Sequence, residues 1–109
     1  MNVTFLDAGR LTTRLDLEAP VELPDGQGGA TLGHAAESSH WARIEPVSAE
    51  RAELGHAERQ SVTHRIWIRH AAGVVAGKRF RRGARIFEIL TVHDPDETRR
   101  YLVCRAREG

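Results

Sequence analysis

Six histidines, one cysteine and one arginine-rich run are the residues of this chain with chemistry to offer. His64 and His70 fall on one face of the strand-like segment THRIWIRH, but six strand residues hold them about 20 Å apart, at roughly 3.3 Å per residue. They cannot share an ion. His34 and His40 flank AAESS, which reads as a loop, and His56 and His93 stand alone. The tight His-x-x-x-His or Cys-x-x-Cys spacings that gather ligands on one tetrahedral centre are missing, so no metal site is expected. Cys104 alternates with Leu102 and Ala106, the position of a small buried side chain rather than of a nucleophile. Ser38-Ser39-His40 lacks the strand–turn–helix setting that presents a catalytic serine. Asp94, Asp96 and Glu97 could meet a cation, but an acidic turn around Pro95 reads as solvated surface. No glycine-rich stretch opens a helix to cradle a phosphate. The sequence thus predicts no catalytic residues, no enzyme and no cofactor.

The arginine-rich run is GKRFRRGARIFEIL, with Lys78, Arg79, Arg81, Arg82 and Arg85 inside residues 77–85. It reads as a hairpin with its turn at Arg82-Gly83, Phe80 pointing inward and the cations outside. Such a tip can touch phosphates without reading sequence, or it can face another subunit. Dedicated single-strand binders interleave exposed aromatics with their basic groups. This chain has three Phe, two Trp and one Tyr, mostly at core or strand-face positions. Any contact with nucleic acid is therefore expected to be electrostatic and sequence-blind.

Charge is unevenly spread. Residues 1–60 hold five Arg against ten acids, a net −5, and residues 61–109 hold eleven Lys/Arg against five acids, a net +6. A chain so divided can meet copies of itself head to tail, or its fold can mix the halves and cancel the asymmetry.

The elements that must position these residues are strands. RLTTRLDLE places Leu11, Thr13, Leu15 and Leu17 on one face by strict alternation. PVELPDGQGG reads as a loop, with Asp25-Gly26 supplying a positive-φ turn. The next strand is expected at His40–Val47, with Ala42 and Ile44 on one face, ending near Pro46. SAERAELGHAERQ, Ser48–Gln60, has the only helical composition, but its apolar surface is too small to hold a helix firmly on a core. THRIWIRH, Arg85–Val92 and RRYLVCRAR complete the set, with HDPDET as a turn organised by Asp94 and Pro95. The 109 residues fit one domain with a modest core. The expected fold is all-β: a small barrel or sandwich of five to six short antiparallel strands with one long loop or short helical excursion. No apolar run approaches the ~20 residues of a membrane span. Met1–Asp7 lacks the features of a signal peptide, and a lone cysteine forms no internal disulfide. Synthesis in the cytoplasm is expected.

The order of motifs carries a resemblance. AGRL, an alternating strand and PDGQGG are followed by HWARIEPVSAERAE, THRIWIRH, GKRFRRGARIFEI, HDPDETRRYLVC and REG, spanning nearly the whole chain. In this order the chain resembles the bacteriophage head–tail joining family, the stopper-like connectors of long-tailed phages and phage-derived gene transfer particles. The resemblance implies a structural virion protein of the neck, assembled in the bacterial host cytoplasm as a six-fold homo-oligomeric ring. The ring would sit between the portal or adaptor on the head side and the tail terminator or tail tube on the other, retaining packaged double-stranded DNA. It also implies that the 48–60 excursion, with Glu50, Arg51, Glu53, Glu58 and Arg59, meets the channel or a neighbouring subunit. Lys78, Arg79, Arg81, Arg82 and Arg85 would then form a surface facing DNA or a subunit. The alternative is a monomeric OB-like barrel that binds single-stranded nucleic acid.

Overall fold

A period-two pattern folds as strand because each strand buries one face and hydrates the other. The computed structural model describes residues 8–47 and 62–109. A 3-10 turn, Ala8–Arg10, leads into six strands: β1 (Thr13–Pro24), β2 (Ala30–Pro46), β3 (His64–Arg69), β4 (Arg79–Arg82), β5 (Arg85–His93) and β6 (Tyr101–Glu108). They pair antiparallel in the order β1-β2-β3-β6-β5-β4, and β4 returns to β1 to close a barrel. Closure satisfies the backbone donors and acceptors that an open sheet would leave on its edges.

The all-β fold is thus a closed six-stranded barrel, but its first two strands are not short. PVELP continues β1 instead of forming a loop, and β2 starts at Ala30, ten residues before the expected His40. His34, His40 and the AAESS between them lie within that strand. Residues 30–41 bury little, so they lack the apolar alternation by which a strand is read. The Asp25-Gly26 turn stands: Asp25 Oδ1 accepts from the backbone N–H groups of Gln27 (2.7 Å) and Gly29 (3.0 Å), and Gly26 has φ +81°. Ser48–Gln60 lies outside the described residues.

The barrel interior holds Leu15, Leu17, Ala42, Ile66, Ile68, Phe80, Phe87, Ile89, Cys104 and Ala106, each at most 1% exposed. Val74, in the β3–β4 connection, packs onto this cluster. A second, smaller cluster forms on the outer wall from Leu11, Trp67 and Val103, with Tyr101 against it. Trp67 does lie on the face opposite Ile66 and Ile68, as alternation requires. It is nevertheless only 6% exposed. Leu11 joins this outer cluster rather than the interior shared by Leu15 and Leu17.

Removing a buried branched side chain costs its transfer free energy and leaves a cavity. Ile66→Ala and Ile89→Ala are each expected to destabilise the domain by about 2–5 kcal/mol. Chemical denaturation checks this as a lower midpoint with an unchanged slope.

Candidate functional site

Gly83 makes the basic hairpin possible. Arg82 pairs with Arg85 across a two-residue turn, Gly83-Ala84, and Gly83 has φ +59°. Glycine at the first central position with positive φ is the type II′ arrangement that suits strand twist. Phe80 and Phe87 face each other inside the barrel, fully buried.

Most of the hairpin's cations are already engaged. Arg79 Nε donates to Glu18 Oε1 at 2.7 Å, and Arg81 Nε lies 3.7 Å from Glu18 Oε2. Lys78 Nζ donates to Glu37 Oε1 and to the carbonyl oxygen of Gly73, both at 2.7 Å. Arg85 binds Glu108 through two bonds of 2.7 and 3.0 Å, and its guanidinium also lies 4.8 Å from the Phe87 ring centroid. Arg82 alone of the five forms no ion pair among the described residues. The pairs Glu18–Arg79, Glu37–Lys78 and Glu45–Arg65 each join the acidic half of the sequence to the basic half. The fold therefore mixes the two halves over part of its surface.

Glu18 is the one buried charged residue among those described. It sits at a register irregularity between Leu17 and Glu18, where β1 leaves the barrel. Beyond it, β1 and β2 pair only with each other and form a two-stranded arm, Ala19–Pro24 against Ala30–Ala35. The molecule measures 54 × 29 × 25 Å. An open groove of about 290 Å³ between arm and barrel is lined by the arm's His34 with Lys78, Arg79, Ile86, Glu88 and Arg107. Its cations are held by Glu37, Glu18 and Glu88 respectively.

The remaining candidates are structural. Cys104 is fully buried, and burial pushes its thiol up to about 12, far from a reactive thiolate. Ser38 Oγ lies 2.8 Å from His40 Nε2, but that pair is on an exposed strand. Burial, with Arg14 nearby, lowers the pKa of His40. Burial also lowers that of His64, against the opposing pull of Glu108. Asp94 accepts from the backbone N–H groups of Asp96 (3.3 Å) and Arg99 (2.7 Å), organising the β5–β6 turn as expected. Among the described residues, no group of three or more His, Cys, Asp or Glu could hold a metal. Trp41 is their only exposed aromatic, with the Arg14 guanidinium 5.2 Å from its ring centroid. Glu50, Arg51, Glu53, Glu58 and Arg59 lie outside the described residues. Sequence reasoning missed Glu18 and the arm.

A closed barrel that carries a projecting two-stranded ribbon is a build suited to a structural assembly protein. The chain belongs to the phage head completion protein family, which it matches over residues 6–109. The family is one of structural proteins of the virion. Its fold is similar to the solution structure of protein SF1141 from Shigella flexneri 2a, with a TM-score of 0.73 and 28% identity over 95% of this chain and 97% of that one. It is also similar to a chain from the virion of a native gene transfer agent particle, with a TM-score of 0.57 and 33% identity over 90% of this chain and 94% of that one. No curated protein matches it.

Deleting the Glu18 carboxylate leaves two arginines without their partner at a part-buried seam. Glu18→Gln is expected to cost about 1–3 kcal/mol, the scale of a lost charge-assisted hydrogen bond. Arg82→Ala is expected to stay within about 0.5 kcal/mol. Urea midpoints of the two variants check the difference.

Proposed function

We propose that this protein is a stopper-like connector of the neck. Copies form a homo-oligomeric ring between the portal or adaptor ring and the tail, retain packaged double-stranded DNA and offer the tail its docking surface. The observation that carries this reading is the likeness to a chain of a gene transfer agent virion across nine-tenths of both sequences. Membership of the head completion family supports it.

The geometry is consistent with that work. A connector has to be a stiff block that presents surfaces to several partners at once, and a closed barrel supplies the block. Arg82, at the tip of the basic hairpin, is the cation left over for DNA or a neighbour. Glu50, Arg51, Glu53, Glu58 and Arg59, in the connection between β2 and β3, are assigned to the channel or the adjacent subunit.

Particles from a strain lacking the gene test the proposal by electron microscopy. The expected result is heads that have lost their DNA beside separate, unattached tails. Tailed, DNA-filled particles without this protein would overturn it.

A further inference from the structure

We propose that the β1–β2 arm docks by its uncharged face on the basic barrel of a second copy of this chain, head to tail. This rests on the connector reading above and names the contact that would build the ring.

The register defines the two faces of the arm, because residues directly opposite in an antiparallel pair point the same way. The pairs Ala19–Ala35, Val21–Gly33 and Leu23–Thr31 share one face. No charged side chain interrupts it. Leu23 and Val21 lie over Gly33: a Cβ built there would come within 2.6 Å of Leu23 Cδ1. The other face carries Glu22 opposite Leu32 and Pro20 opposite His34. Leu23 remains 48% exposed, and β1 has no barrel strand other than β2 beyond Glu18. An isolated two-stranded ribbon is marginal in water and gains from a third surface. Pro20 and Pro24 supply no backbone donor on the β1 edge, so strand addition there is blunted and docking falls to the face.

Charge selects the occupant. The arm and its turn, residues 19–35, hold two acids (Glu22 and Asp25) and no Lys or Arg, whereas residues 62–109 carry net +6. Arg69, Arg82 and Arg105 form no ion pair among the described residues. An acidic arm is repelled by DNA and attracted by a basic protein surface, and the basic surface on hand is the barrel of the same chain. The two are also separated within one molecule. Glu18 pairs with Arg79, so the arm leaves beside the start of β4, while the Gly83 turn lies at the other end of that short strand. Complementary patches at different places on one subunit give a heterologous contact, which closes into a ring when the rotation allows.

A photo-cross-linking residue at position 23, in assembled particles, tests the contact. Irradiation is expected to give a band at twice the 12.1 kDa chain mass. Mass spectrometry of that band is expected to join position 23 to a peptide within residues 62–109. In parallel, Leu23→Gln, which removes the apolar contact without adding charge, is expected to lower incorporation into particles by about tenfold or more, the effect of about 1.4 kcal/mol. Leu32→Gln, on the opposite face, is expected to incorporate normally. Cross-links to another virion protein, no cross-linked dimer, or equal behaviour of the two variants would overturn the docking while a ring seen in the neck kept the connector reading. A neck without the ring would overturn both.

Discussion

The carboxylate of Glu18 is the point on which the described structure turns. It lies where β1 leaves the barrel, only 9% exposed, and faces Arg79 and Arg81 of β4. A buried charge is costly unless it is paired and hydrogen-bonded, so this position keeps its place only while β4 lies against β1. That seam is the shortest in the barrel, with three paired positions. The side-chain contacts add to few backbone bonds at the place where the sheet must close. The same residue marks where β1 stops having two neighbours, so it also sets where the arm begins.

The arm, by contrast, spends little apolar surface on its own stability. Its strands bury nothing against the barrel comparable to Leu15 or Ile66, and Leu23 on its uncharged face is 48% accessible. A protein that worked alone would gain from a shorter hairpin and a smoother surface. In a family of virion structural proteins, surface left over by the fold is surface available for assembly. The chemistry of the chain agrees: its thiol is buried and inert, and its acidic turn spends Asp94 and Asp96 on backbone bonds.

Strands that bury one face were legible in the sequence. RLTTRLDLE and THRIWIRH alternate cleanly, and their alternate residues Leu15, Leu17, Ile66 and Ile68 fill the barrel. The basic hairpin was legible, with its turn one residue later than expected, at Gly83-Ala84 rather than Arg82-Gly83, because glycine has a specific conformational use there. PVELP and ATLGHAAESS were not, because a ribbon that leaves the core carries no burial pattern, and its prolines and glycines imitate a loop. Trp67 shows the limit of alternation from the other side: it assigns the face correctly but cannot tell that an outer face is covered by Leu11 and Val103. The basic run was visible as composition, yet the partner of Arg79 lies 61 residues away in the chain. Only the fold reveals that the run is largely neutralised.

If the barrel is the proposed repeating part of the neck, a cryo-electron-microscopy reconstruction of that region resolves a ring of these barrels between head and tail, surrounding the DNA channel. Density for the chain elsewhere in the particle, or as a single unassembled copy, would contradict that proposal.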